Sequence, residues 1–250
     1  METLKSNEVN NEIYHDLGDR WYTAKDDPIA LLRAESRARN PWIVSEIRAT
    51  FPNKPPNVLD LGCGGGFLSN ELAKHGFNVT GLDASAQSLE IARHFDSTGR
   101  VHYLQGDALD LNYASNSFQV VTAMDFLEHV DRPDLVIAQA SRVLIKGGMF
   151  FFHTFNRNIF SWLFGIKGVE LVVRNTPKNL HVHKNFIKPS ELINFCEESS
   201  LIVKQIRGLT PVIFHNSFWH LLDYGEVEDS FRFKFTRSKL IGYLGYAIKQ

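Results

Sequence analysis

Seven residues, Asp60-Leu61-Gly62-Cys63-Gly64-Gly65-Gly66, restrict this chain more than any other stretch. They continue the apolar run that starts at Val58 and precede residues 68–74, whose apolar positions recur at helical spacing. A strand, a glycine turn and a helix in that order form the ligand-facing turn of a doubly wound sheet. Glycine lets the backbone turn tightly and approach a ligand with no Cβ in the way. Asp83 ends the next apolar run, 21 positions after Gly62. A carboxylate at that spacing can grip a ribose diol.

The same rhythm continues along the chain. Residues 101–105 and 118–123 read as a third and fourth strand. Residues 135–144 read as a helix ended by Gly147-Gly148, and 149–154 as a fifth strand. Upstream, residues 29–47 carry one or two amphipathic helices closed by Pro52, Pro55 and Pro56. Alternating elements of this length predict an α/β fold with a doubly wound, mostly parallel sheet. Ligands then bind at the edge where the strand-to-helix loops gather.

Four segments follow from this reading: an N-terminal helical cap over 1–48, a cofactor-binding core over 49–155, an apolar and basic insertion over 156–188, and a C-terminal part over 189–250 that completes the sheet and the acceptor pocket. The insertion would act as a lid or touch a membrane. Within the first part of that cap, the polar residues up to about 20 predict loose order.

Composition narrows the function. A net charge of −1 excludes a strongly basic nucleic-acid binder. Cys63 and Cys196 share no metal-type spacing and make no disulfide framework, which predicts a reducing cytoplasm. The opening residues are polar where a secretory signal would be apolar. No apolar run approaches the about 18 residues that a membrane span requires.

Two cofactor classes compete for the glycine turn. A dinucleotide fingerprint needs glycine three positions after Gly64, and Phe67 stands there. The pattern D-x-G-x-G-x-G resembles instead the first motif of class I S-adenosylmethionine-dependent methyltransferases, whose sheet is Rossmann-like. An acidic residue at Asp60 suits a cofactor that carries a sulfonium and an amino group. The resemblance implies that the backbone at Gly62, Gly64 and Gly66 flanks the methionine portion of S-adenosyl-L-methionine and that Asp83 binds its ribose. It also implies that Asp107, in Gly106-Asp107-Ala108, receives the adenine amine, with Ala108 and Met124 packing nearby. An arginine among Arg33, Arg37 and Arg39 would bind the cofactor carboxylate; the three otherwise read as a solvated helix face.

A narrower resemblance covers about residues 14–209. Tyr14-His15-Asp16-Leu17-Gly18-Asp19-Arg20-Trp21, Met124-Asp125-Phe126-Leu127-Glu128-His129-Val130, Thr154-Phe155-Asn156-Arg157-Asn158 and Phe186-Ile187-Lys188-Pro189-Ser190-Glu191-Leu192 all resemble the ubiquinone-biosynthesis O-methyltransferases. This implies methylation of a catechol-type hydroxyl on a polyprenylated ring, at the inner face of the membrane and in association with other quinone-biosynthesis enzymes.

A phenol of pKa about 10 is a poor nucleophile at neutral pH. The sequence offers two remedies. Asp125, Glu128 and His129, spaced i, i+3, i+4, would share a helical face and hold Mg²⁺ or another divalent cation as Lewis acid. The family usually has Glu where this chain has Asp125. Alternatively His129 or His153 acts as general base without metal. A purely structural role for the three, as helix caps and packing, is the third reading.

Of 19 Phe, six precede position 150 and 13 follow from Phe150 onward. The block from Ile159 to Val173 and the basic stretch through His181, His183, Lys184 and Lys188 have the composition of a peripheral membrane contact over 159–188. Phe231, Phe233 and Phe235 alternate with Arg232 and Lys234 as in a half-buried strand. Two other functions compete: methylation of another phenolic small molecule, and a catalytically silent cofactor- or quinone-binding protein.

Overall fold

The computed structural model describes residues 9–250. The loose order expected for the N-terminus lies outside the described residues as far as residue 8. From Asn11 the expectation is corrected: Asn11–Tyr14 forms a 3-10 turn and α1 (Arg20–Thr23) a helical turn. The Tyr14 and Trp21 rings stack with centroids 5.7 Å apart, and Trp21 is buried. Packing Tyr14, Leu17 and Tyr22 against the buried Trp21 orders a segment that is otherwise mostly polar.

One helix, α2 (Ile29–Thr50), runs unbroken through Pro41. Ile43, Val44 and Ile47 are buried in the turns that follow, and this docking holds the helix together where proline removes a backbone donor.

The strand-helix rhythm then appears as expected: β1 (Asn57–Leu61), α3 (Phe67–Lys74), β2 (Asn78–Asp83), α4 (Ala86–His94), β3 (His102–Gln105), β4 (Phe118–Met124), α5 (Pro133–Val143) and β5 (Leu144–Phe155). Ser85 caps α4, its hydroxyl accepting from the Ser88 N–H at 3.1 Å. Beyond β5 come a widened helical turn at Ser161–Lys167, α6 (Gly168–Val172), α7 (Pro189–Glu198), β6 (Leu201–Pro211), α8 (Asn216–Tyr224), β7 (Phe233–Thr236) and β8 (Gly242–Lys249).

Among the described residues, eight strands form one sheet in the order β3-β2-β1-β4-β5-β8-β6-β7. The first five pair in parallel, and β8 enters antiparallel between β5 and β6. Sequence reading missed β8. Its Gly245 lies beside the register shift between Val203 and Gln205 in β6. A Cβ at Gly245 would lie 2.0 Å from the Gln205 carbonyl oxygen, so only glycine passes that bulge.

Strand side chains alternate between two cores. Leu59, Leu61, Val121, Ala123, Phe150 and Phe152 pack with α5 and α7 on one face. Val58, Val120, Met149 and Phe151 pack with α2 and α3 on the other. With both faces covered, the carboxyl edge of the parallel strands is left for a ligand.

Candidate active site

A single cavity of about 1370 Å³ opens along that edge. The glycine turn forms one wall. Gly64 has a φ of +49°, and a Cβ there would lie 2.6 Å from the Trp21 ring. The turn is therefore glycine for two reasons, backbone conformation and the tryptophan that lies against it. Tyr22 donates its hydroxyl to the Gly65 carbonyl at 2.8 Å, tying α1 over the turn.

Asp83 braces the same turn, accepting from the Gly64 N–H at 2.8 Å and the Ser85 N–H at 2.9 Å. Asp60 is buried and accepts from the hydroxyls of Ser69 and Thr122, both at 2.6 Å. Burial pushes its pKa up while those hydroxyls pull it back. Asp107 accepts from the Leu109 N–H at 2.8 Å. Asp60, Gly62, Gly64, Asp83, Asp107, Ala108 and Met124 all line the cavity; Gly66, one residue ahead of α3, packs instead against Tyr103 and Ala92.

The acid-histidine trio is where the structure departs from expectation. Asp125, with a φ of +52°, precedes the short 3-10 turn Leu127–His129. No helical face joins Asp125 to Glu128 and His129. The structure instead places the three residues in two separate groups of three, the donor atoms within each lying within 4.8 Å of one another: Glu128 with His129 and His181, and Asp125 with Glu35 and His153. A left-handed backbone at a non-glycine residue, adopted here by Asp125, swings its side chain away from the helical alignment that the spacing suggested.

Glu128 accepts from the Thr154 hydroxyl at 2.9 Å through Oε2. Its Oε1 is buried with no hydrogen-bond partner among the described residues. Burial, reinforced by Asp125, raises the Glu128 pKa to about 8. Burial lowers His129 to about 4, and burial with the nearby His129 lowers His181 to about 3. Both imidazoles are thus neutral and offer lone pairs. Asn11 Oδ1 stands 3.1 Å from His129 Nδ1.

In the second group, Asp125 pairs with Arg39 and stands 2.5 Å from His153 Nδ1. Burial alone would raise the Asp125 pKa, but Arg39 and His153 hold it well below the carboxylate range. Burial and the Asp125 charge raise Glu35 to about 7, with His153 and Arg39 pulling the other way.

Arg39 is therefore buried and not on a solvated helix face. Of the other two arginines, Arg33 donates to the Trp21 and Ala24 carbonyls, and Arg37 donates to the Asp229 carbonyl. Sequence reading also missed Glu35. The signal was present: Leu31, Glu35 and Arg39 recur every four residues and all line the cavity. His181 belongs in sequence to the basic stretch, yet its ring packs between His129 and Phe155.

The far end of the cavity is apolar. Leu31, Val172, Phe218, Leu221, Phe231 and Phe233 line it and pack as one cluster. In the segment that contributes Phe164 to the lining, Ile159, Phe160, Leu163, Phe164 and Leu171 are exposed, Leu171 to 86%. Among the described residues no helix is long and apolar enough to cross a membrane.

Comparison with known proteins follows the same outline. A family described as "Methyltransferase domain" matches residues 59–152. The chain is 37% identical over 196 residues to the ubiquinone biosynthesis O-methyltransferase of Erwinia tasmaniensis, covering 77% of this chain and 79% of that one. It is 38% identical over 213 residues to the enzyme of the same name from Vibrio vulnificus, covering 83% and 88%. Among solved structures, magnesium protoporphyrin IX methyltransferase from Synechocystis with bound SAH matches at a TM-score of 0.58 and 15% identity, over 87% of this chain and 84% of that chain.

Proposed function

The chain belongs to the ubiquinone biosynthesis O-methyltransferase family of S-adenosylmethionine-dependent enzymes, and from that premise we propose that it methylates a ring hydroxyl of a catechol bearing a polyprenyl tail. One observation carries the reading: a single cavity holds the glycine turn and Asp83 at one end, Glu128's neighbour His129 in the middle and an apolar wall at the other end.

S-adenosylmethionine supplies the electrophilic methyl group. Asp83 has lone pairs left beyond its two backbone bonds and accepts from the ribose diol. Asp107 receives the adenine amine, with Ala108 and Met124 packing alongside. The backbone of Gly62 and Gly64 flanks the methionine portion near Asp60, while Gly66, facing Tyr103 and Ala92, shapes the turn from behind. Arg39, whose buried Nε has no partner, binds the cofactor carboxylate.

Glu128, His129 and His181 fit a divalent cation, because Glu128 Oε1 is buried and unpartnered beside two neutral imidazoles. A cation held there would supply Lewis acidity to lower the pKa of the catechol hydroxyl. Two imidazoles and one carboxylate suit Zn²⁺ or Fe²⁺ better than Mg²⁺, which prefers oxygen donors. In this reading Asp125 is a positioning residue that orients Arg39 and His153, replacing its expected role as third ligand. Trp21 and the segment around Tyr14 exclude water from the reacting atoms.

A second reading rests on His153. Asp125 occupies its Nδ1, which leaves Nε2 to take the hydroxyl proton as general base. Placement at the inner membrane face, through 159–188, remains part of the proposal because a polyprenyl acceptor resides in lipid.

The test uses methyl-labelled S-adenosylmethionine with a short-tailed catechol, before and after chelation and dialysis. Label should appear as a methyl ether, vanish without divalent metal and return on its addition. Transfer undiminished by chelation selects the His153 reading. Cofactor binding without transfer to any catechol or other phenol would leave a silent cofactor-binding protein.

A further inference from the structure

The cavity is larger than methyl transfer to a bare ring requires. Its volume of about 1370 Å³ exceeds the roughly 300–1,000 Å³ of an ordinary small-molecule pocket. Sheet order shows where the excess lies. Asp83 and Asp107 sit at the ends of β2 and β3, at one edge, whereas Phe233 belongs to β7 at the opposite edge, with six strands between β3 and β7.

Helix α2 measures the distance from the reacting centre. Leu31, Glu35 and Arg39 share one of its faces and all line the cavity. At 1.5 Å per residue, that face runs about 12 Å from Arg39 to Leu31. At the Arg39 end the lining is ionic, with Asp125, His153 and Glu35. At the Leu31 end it is the apolar cluster already described. Leu221 and Phe231 are buried there, while Leu31, Val172, Phe218 and Phe233 are only half-buried. They pack on a core and still present hydrocarbon to the open cavity.

That wall is fixed in place. Arg174 donates its N–H to the Gly225 carbonyl at 3.4 Å and its guanidinium to Glu226 at 2.9 Å. These bonds join the end of α6 to the end of α8. Phe164 and Leu222 both line the cavity and are about half exposed, so they stand where the cavity meets solvent.

We propose that this apolar end is a subsite for the isoprenoid tail of the acceptor, which leaves the protein past Phe164 and Leu222. The proposal rests on the acceptor reading above and says where its hydrocarbon goes: into a pre-formed groove walled by α2, α6, α8 and β7, about two helical turns from the methyl-transfer centre.

Two measurements test it. Farnesol is titrated calorimetrically into the full chain loaded with S-adenosylhomocysteine, and kcat/KM is compared for a farnesylated and a tail-less catechol. The wild type should bind farnesol and prefer the tailed acceptor. Val172→Trp fills the groove and Leu222→Arg sets a charge at its mouth; each should reduce that preference about tenfold or more and weaken farnesol binding. Leu222 is exposed, so its variant tests the idea even if the Val172 variant fails to fold. Absence of farnesol binding to the wild type overturns the subsite, and so does an unchanged preference in Leu222→Arg. Farnesol binding that both variants weaken, without turnover of either catechol, upholds the apolar subsite and overturns the acceptor reading alone.

Discussion

His153 Nδ1 stands 2.5 Å from Asp125 Oδ1, and the same carboxylate pairs with Arg39. Burial pulls the His153 pKa down, but the Asp125 charge and hydrogen bond more than offset this and raise it above the usual value. Asp125 is shifted the opposite way, well below the carboxylate range. A raised folded pKa contributes stability fully present below about pH 6.5 and lost as pH rises through the folded value. A depressed carboxylate contributes stability present above about pH 3.9 and lost as pH falls. The pair therefore stabilises the fold most between those limits. Thermal unfolding should show Tm falling as pH rises past neutrality, and His153→Gln should flatten that fall. A variant with the wild-type pH slope would assign the fall elsewhere.

The same variant separates the two chemistries. If a cation bound by Glu128, His129 and His181 activates the acceptor, His153→Gln should lower kcat less than tenfold, whereas Glu128→Gln should lower it about 10²-fold or more and weaken metal binding. A general base at His153 would reverse that order, costing about 10²–10⁴-fold at His153. Steady-state kinetics of both variants at saturating metal, with metal content measured alongside, distinguishes them.

Cofactor affinity should depend sharply on Asp83. Its carboxylate accepts from Gly64 and Ser85 and, in the proposed complex, from the ribose. Losing a charged acceptor costs about 1.5–3 kcal/mol, or roughly 10–150-fold in the Kd for S-adenosylhomocysteine. Calorimetry on Asp83→Asn should show that loss. Affinity within twofold of wild type would remove Asp83 from the cofactor site.

Gly64→Ala and Gly76→Ala make a matched pair. Both glycines have positive φ, at +49° and +88°, but a Cβ meets the Trp21 ring only at Gly64 and nothing within 4 Å at Gly76. Each should lose about 1–2 kcal/mol of stability from backbone conformation. Only Gly64→Ala should also displace Trp21 and weaken S-adenosylhomocysteine binding, followed by tryptophan fluorescence and calorimetry. Equal cofactor affinity in the two variants would mean that the Trp21 contact is irrelevant to the site.

Local periodicity made the doubly wound core legible. Residues 58–61, 79–83 and 118–123 carry their strand pattern and turn chemistry within a few positions. The strand β8 did not read because Gly242 and Gly245 break its apolar run, and the reason for Gly245 lies far off in sequence, at Gln205. The site divides the same way. Asp83 and Gly64 were legible because their partnership is set by one βαβ unit. The regrouping of Asp125 with Arg39, Glu35 and His153 was not, because it joins α2 to the ends of β4 and β5. A left-handed residue at Asp125 then undoes the helical spacing that had suggested a single trio. His181 looked like surface charge since nothing local marks a histidine whose ring is packed against Phe155.

Membrane contact gives the last prediction. A single exposed leucine is ordinary on a soluble surface, but Ile159, Phe160, Trp162, Leu163, Phe164 and Leu171 are all more than a third exposed within a short span. Lys167 and Arg174 lie in the same segment, although each already pairs with a glutamate, Glu170 and Glu226. Lys178, Lys184 and Lys188 are exposed and their ammonium groups have no carboxylate partner among the described residues, so hydrocarbon and headgroup charge should both contribute to binding. Burying one leucine is worth about 1.5–3 kcal/mol when complete, so Leu163→Asp with Leu171→Asp should lower partitioning onto vesicles at least tenfold. Both sites are exposed, and stability should stay within about 0.5 kcal/mol of wild type for each. Flotation with vesicles of neutral and of anionic lipid, at low and high salt, reads the result. Wild-type protein that stays at the bottom of every gradient would exclude this face as a membrane contact. Loss of flotation by salt alone would show that charge, and not Leu163 and Leu171, holds the protein to the bilayer.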